Sequence, residues 1–268
     1  MEPLFTLAAV SFDYDGIPAL RSLSLTVRQG ERIALVGANG SGKSTLLRVL
    51  DGLYLPASGT VLFQKEILTQ NKFNDPEFTA RFRRAVAFVF QNPDVQLFNP
   101  TVFDEIAFGP LQLGLSTEKV LQAVNETLST MSLESLRERP PYRLSGGEKK
   151  KVALASVLVM NPEVLLLDEP TAALDPRSQS LVVDLIQGWK STAKTVITAT
   201  HQLELLEEIA DIVYVMDSGT IIASGTPASI LANGELLLKA NLVHEHRHKH
   251  GTTMHSHPHL HGHSHHNL

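Results

Sequence analysis

The chain has 268 residues, 43% hydrophobic and 19% charged, enough to bury one large α/β core without covalent staples. It contains no cysteine, which excludes disulfides and cysteine metal sites and agrees with a reducing, cytosolic setting. A net charge of −5 leaves no broad basic footprint for nucleic acid, and no window reaches the roughly 18 apolar residues that span a bilayer.

Residues 1–5 show no basic segment ahead of an apolar stretch, so no signal peptide is expected. Alternation at Phe5, Leu7, Ala9 and Ser11, and again at Leu23, Leu25 and Val27, predicts half-buried strands with Asp15-Gly16 as a turn between them. They form a small antiparallel layer ahead of the core. In a compact fold Tyr14 is close enough to the next segment to lay its ring on a bound purine. Phe12 competes for that place, and either ring can instead belong to the core.

Residues 33–36 are an apolar run. Gly37-Ala38-Asn39-Gly40-Ser41-Gly42-Lys43-Ser44-Thr45 follows, and then Leu46, Leu47, Val49 and Leu50 at helical spacing. Strand, glycine-rich loop and helix in that order are the setting of a phosphate-binding loop. Its three glycines let backbone N–H groups turn toward a β-phosphate, and the free amides and dipole of the helix favour the same anion. Lys43 is positioned to reach the β- and γ-phosphates, and Ser44 to put its hydroxyl on Mg2+.

Pro56 and Gly59 mark a turn before a strand at 60–63, and Asp75-Pro76 reads as an N-cap with proline at the first helical position. Residues 85–90 read as a buried strand running into Gln91-Asn92-Pro93. An amide at that strand end can reach a metal and an attacking water, although a lone glutamine is also an ordinary polar terminus. From 100 to 141 the pattern is helical, with Val120, Leu121, Val124, Leu128 and Met131 at helix spacing, which predicts an inserted helical subdomain over about 93–160. Leu144-Ser145-Gly146-Gly147-Glu148 then starts another helix. Ser145 with Glu148 is a capping box, and the two glycines also leave the helix end open to an anion. Lys149-Lys150-Lys151 reads as a helix face.

Asn161-Pro162 breaks that helix, and four apolar residues at 164–167 predict a parallel strand covered on both faces, ending at Asp168-Glu169-Pro170. Two acids at the carboxyl end of such a strand sit where open α/β sheets bind ligands. Because side chains alternate along a strand, Asp168 is assigned to Mg2+ and Glu169 to the water in line with the γ-phosphate. Asp175-Pro176 starts a further helix, and a strand at 195–200 ends at His201, which can donate to the γ-phosphate. Residues 212–223 read as a hairpin turned at Asp217-Ser218-Gly219, followed by a helix capped by Thr226 with Pro227.

Residues 37–45, Gln91, 144–148, 164–170 and His201, in this order, resemble the ATP-binding subunit of ABC transporters over about residues 4–232. The Leu-Ser-Gly-Gly segment separates that family from other phosphate-loop ATPases. The resemblance implies an ATPase domain over 1–240 of the α/β class, a P-loop NTPase core with an antiparallel β subdomain and an inserted α-helical subdomain. It implies ATP held by Gly37, Asn39, Gly40, Ser41, Gly42, Lys43, Ser44 and Thr45, with Tyr14 or Phe12 stacked on adenine. Ser44, Gln91 and Asp168 would hold Mg2+, Glu169 would polarise the water, and His201 would hold the γ-phosphate. Ser145, Gly146, Gly147 and Glu148 would serve a second ATPase subunit's nucleotide, since two subunits of this family clamp two ATP molecules head to tail. Glu148 stands where glutamine is commonest and Lys151 near where arginine is usual; both leave the amides intact.

Residues 91–98, with Pro100-Thr101-Val102 and Ile106-Ala107-Phe108-Gly109-Pro110, are similar to the ATPase subunits of energy-coupling factor transporters, importers of vitamins or of cobalt and nickel. That similarity implies a groove for a helix of a transmembrane partner, and a peripheral position on the cytoplasmic face of the cell membrane. The last stretch, 241–268, holds eleven of the twelve histidines: His244, His246, His248, His250, His255, His257, His259, His261, His263, His265 and His266. Its scarcity of large apolar residues predicts disorder, and imidazoles at alternate positions chelate Ni2+ or Co2+. The rival readings are vitamin uptake, a non-transport ABC ATPase of DNA repair or translation, and a metal buffer. The long coiled-coil insertions of repair members and the second ATPase domain of translation members do not appear in the chain, and a buffer leaves the nucleotide motifs unused.

Overall fold

The computed structural model describes the backbone of residues 3–250 and 253–260 and the side chains of residues 3–243. Strands β1 (Pro3–Tyr14) and β2 (Ile17–Arg28) pair antiparallel through Asp15-Gly16, whose φ angles of 49° and 84° are left-handed. The expected alternation fails after Leu7. A register shift between Leu7 and Val10, with Ala9 at φ 50°, leaves Ala8 and Ala9 exposed and turns Val10 inward. The extra residue of a bulge resets the inside face, so Ala9 and Ser11 are not core positions.

The chain then runs through β3 (Arg32–Val36), α1 (Lys43–Leu50), β4 (Ser58–Phe63), β5 (Glu66–Ile67), α2 (Gln70–Phe73), α3 (Pro76–Ala85) and β6 (Val86–Val89). Helices α4 (Val102–Gln112), α5 (Thr117–Thr130) and α6 (Gly146–Leu158) pack on one another before β7 (Val164–Asp168). After them come α7 (Pro176–Gly188), β8 (Thr195–Thr200), α8 (Leu206–Ile209), β9 (Ile212–Asp217), β10 (Thr220–Gly225), α9 (Pro227–Leu231) and α10 (Gly234–Lys239). One sheet has the order β10-β9-β3-β8-β7-β6, parallel except for β10; the antiparallel sheet has the order β2-β1-β4-β5.

Successive residues of the central strands feed two different cores. Ala34, Val36, Leu165 and Leu167 join the helical side, whereas Ile33, Leu35, Val164 and Leu166 join α1 and the antiparallel layer. All eight are 0% exposed, which is why 33–36 and 164–167 carry no polar alternation. The carboxyl ends of β3, β6, β7 and β8 therefore meet along one rim, and the loops of interest leave from it.

The helix starts follow their caps. The side chains of Asp75, Asp175 and Thr226 accept from the N–H of Glu77, Ser178 and Ser229, each with a proline at the helix start. The lysine run is not a uniform solvated face: Lys150 is 3% exposed, because its position on α6 turns it toward β6 and the loop after it.

At the end of α1, Asp51 is 4% exposed and accepts from Arg83 Nη1 at 2.9 Å. Burial pushes its carboxyl from 3.8 up to about 7, against the pull of Arg83. The proton is bound more tightly in the folded state, so the stabilisation it brings is complete below about pH 4 and is lost as pH rises through about 7. Melting temperature is expected to fall between pH 5 and pH 8, and to fall less in Asp51→Asn. Equal slopes in scanning fluorimetry would take Asp51 out of this role.

In the histidine-rich stretch the described backbone forms β11 (Val243–His250), paired antiparallel with β12 (Thr253–Leu260). Histidines at every second position are a period-two pattern, which an extended strand accommodates. The metal-binding expectation rests on side chains outside the described residues, as do His261, His263, His265 and His266 altogether.

Candidate nucleotide site

The loop between β3 and α1 curls over the rim. Gly42 is the N-cap of α1 at φ 103°, and a Cβ there would sit 2.7 Å from the Ala19 carbonyl; one on Gly37 would sit 2.3 Å from that of Met216. Both positions therefore require glycine. The loop forms one wall of a cavity of about 530 Å³ lined by residues 39–45, Tyr14, Gln91, Glu169 and the strand start Ile17-Pro18-Ala19.

Lys43 is 6% exposed, and its Nζ folds back to donate to the carbonyls of Gly37 (2.7 Å) and Ala38 (3.1 Å). Burial lowers its pKa, and the charges of Glu169 and Asp168 partly oppose that. Ser44 Oγ donates to Asp168 Oδ1 at 2.9 Å, tying the helix start to the end of β7. Burial raises the Asp168 carboxyl, opposed by the Ser44 bond and by Arg48. Among the described residues, Ser41 Oγ and Glu169 Oε2 are buried without a hydrogen bond. A buried hydroxyl without a partner, an ammonium resting on main-chain carbonyls and a serine–carboxylate pair fit a polyphosphate carrying Mg2+.

Asp168 and Glu169 diverge, though not through strand alternation. Strand β7 stops at Asp168, and Glu169 has φ 47°, with its N–H donating to Ala199 O at 2.9 Å. A left-handed backbone in a non-glycine residue sets the direction of this carboxylate. Its Oε2 comes within 2.9 Å of His201 Nδ1, although the ring N–H is not aligned for a hydrogen bond. His201 is half-exposed where it follows β8, and Gln91 lies exposed two residues beyond β6.

The two candidate aromatic residues separate. Phe12 stacks on Tyr54 with centroids 4.9 Å apart, whereas Tyr14 lines the cavity and its hydroxyl lies 3.2 Å from Thr45 Oγ1. Tyr14→Ala is expected to weaken ATP binding by roughly 3- to 10-fold, the range of one stacking contact, and Phe12→Ala to lower the melting temperature instead. Calorimetric titration of both variants checks this. Ile17 also lines the cavity while 73% exposed. As the opening residue of a strand it reads as ordinary sheet, and only the hairpin's proximity to the loop marks it out.

Ser145, Gly146, Gly147 and Glu148 are absent from this cavity's lining. They form the capping box of α6: Glu148 Oε2 accepts from Ser145 N–H (2.7 Å) and Oγ (2.8 Å), which holds its carboxyl below the usual range. A Cβ added to Gly146 would meet open space, so nothing among the described residues demands glycine there.

The geometry is matched by similarity to known proteins. A family model described as ABC transporter covers residues 20–172. The chain is 51% identical over 246 residues to the nickel import ATP-binding protein NikO of Rhodobacter capsulatus, covering 91% of this chain and 97% of that one. It is 41% identical over 240 residues to the energy-coupling factor transporter ATP-binding protein EcfA of Methanothermobacter thermautotrophicus, covering 89% and 76%. Among solved structures, cbiO1 from Clostridium perfringens, part of the ABC transporter complex cbiONQ, superposes with a TM-score of 0.75 at 35% identity, covering 90% of this chain and 96% of that one. The dimeric post-hydrolysis ATP-binding cassette MJ0796, bound to ADP and Pi, gives 0.74 at 26%, covering 83% and 98%. A glycine-locked loop at the rim of a parallel sheet, paired acids beside it and a capped Leu-Ser-Gly-Gly helix accompany these similarities, by which the chain belongs to the ABC transporter family, as one of its ATP-hydrolysing subunits.

Proposed function

We propose that this chain is the ATPase subunit of an energy-coupling factor importer of nickel or cobalt, working as one of a pair on the cytoplasmic face of the membrane. The observation that carries the membrane coupling is an apolar groove of about 430 Å³ beside the segment after Gln91. Leu53, Phe98 and Phe108 line it while 46%, 67% and 39% exposed, and Asp51 and Arg83 line it too. Large exposed aromatic residues collected in one groove mark a site for an apolar partner, here a helix of the membrane subunit. Among the described residues no helix is long and apolar enough to cross a membrane. The nickel or cobalt reading draws support from the likeness to NikO and from the histidine-rich stretch.

In the proposed mechanism the loop amides and Lys43 bind the phosphates, and Ser44, Asp168 and Gln91 would hold Mg2+, whose positive charge would offset that of the phosphate oxygens. Glu169 orients the attacking water and takes its proton as the water oxygen bonds to the γ-phosphorus and the bond to the bridging oxygen breaks, releasing ADP, while His201 turns from Glu169 to donate to the γ-phosphate. The open start of α6, with its unforced Gly146, supplies amides to the nucleotide of the second subunit. A chain with every motif suffices for a homodimer.

Capture of membrane partners on the full chain, followed by uptake assays with Ni2+, Co2+ and vitamins, tests this reading. Uptake of a vitamin in place of the metals would overturn the choice of substrate. Removal of residues 244–268 is expected to lower bound Ni2+ or Co2+ without abolishing ATP hydrolysis. Unchanged metal stoichiometry in equilibrium dialysis would refute metal binding by the histidines.

A further inference from the structure

Lys150 is a buried cation with no role in the steps above. Its ammonium leaves α6 and donates to the carbonyl of Gln91 at 2.7 Å, with that of Phe90 at 3.4 Å. Asp168 and Glu169 act on it only as more distant attracting charges. A buried ammonium is retained where its donors are used, and these donors are used on the main chain of one loop.

Two neighbouring contacts tie the same loop to the same helix. Lys149 Nζ meets Asp94 Oδ1 at 2.6 Å. Gln96 accepts from the Phe90 N–H at 3.2 Å and donates to Ala153 O at 2.8 Å. The loop that carries Gln91 is thus held to the helix whose first residues are Gly146-Gly147. Lys149 is partly exposed, and Asp94 is more so, which makes their ion pair the weaker tie. The bond from the buried Lys150 is the one that ends on Gln91 itself.

We propose that Lys150 is a positioning residue, which makes the Gln91 backbone follow α6 and so brings the glutamine amide to the metal and water when the start of α6 engages a second nucleotide. This rests on the metal and water role proposed for Gln91. An apolar replacement would strand the Gln91 and Phe90 carbonyls and free the loop from the helix.

The test uses the full chain with Lys150→Met, and Lys150→Gln, which keeps a donor, as the second variant. Without nucleotide, Lys150→Met is expected to speed hydrogen exchange of the amides in 90–97 by about 10-fold or more, with β7 unchanged. The dissociation constant for MgATP should stay within about 3-fold while kcat falls about 10-fold and the Mg2+ needed for half-maximal rate rises. Lys150→Gln should fall between this variant and the wild type. Unchanged exchange in 90–97, or a rise that extends equally over β7, overturns the proposal. If the wild-type chain hydrolysed MgATP with no dependence on Gln91, the failure would belong to the role of Gln91, because the exchange measurement needs no nucleotide.

Discussion

Glu169→Gln is expected to bind MgATP as tightly as the wild type and to hydrolyse it about 10²- to 10⁴-fold more slowly, the usual range for losing a general base. The amide has nearly the same volume as the carboxylate, so the buried position and its left-handed backbone at φ 47° are kept. What it loses is the charge that orients water and accepts a proton. His201, 2.9 Å away, is not expected to replace it, because in the proposed mechanism its ring donates to the γ-phosphate. Single-turnover hydrolysis with radiolabelled ATP measures the chemical step directly. A rate near that of the wild type would remove Glu169 from the role and shift the search to another base on the rim.

Lys43→Ala is expected to have the second large effect, on binding rather than turnover. Charge-assisted hydrogen bonds to phosphate contribute about 1.5–3 kcal/mol each, so losing two of them weakens MgATP binding by about 100-fold or more. The fold should survive. The carbonyls of Gly37 and Ala38 lose a donor, but a cation that is 6% exposed is also removed from a desolvated position. Unchanged affinity in this variant, with melting temperature preserved, would mean that the loop does not cradle phosphate.

These two residues stand where local sequence is most informative. Strand, glycine-rich loop and helix form within some twenty consecutive residues, and the caps at Asp75, Ser145, Asp175 and Thr226 act within three residues of each helix start. The apolar runs at 33–36 and 164–167 were legible because a strand buried on both faces has no polar position to spare.

What the sequence left hidden depends on residues far apart in the chain. The bulge at Ala9 follows from how β1 must pair with both β2 and β4, and alternation alone cannot reveal a register shift. Arg32 opens the phosphate-loop strand at 2% exposure because Asp211 answers it with two bonds, at 2.7 and 3.2 Å, from 179 positions away. Lys150 looked like its two neighbours, and only the path of residues 90–96 over α6 buries it. The direction of Glu169 came from its backbone, which no side-chain pattern encodes. Nothing in the sequence shows that Tyr54 stacks on Phe12 and meets Tyr14 edge-on, or that Tyr14 and not Phe12 lines the cavity.

Every step proposed above requires saturable binding of MgATP by the loop between β3 and α1, and calorimetric titration of the purified chain measures it. The expected result is one nucleotide bound per chain in the wild type and in Glu169→Gln, with binding lost in Lys43→Ala. Absence of binding in the wild type, or equal binding in all three, would contradict it.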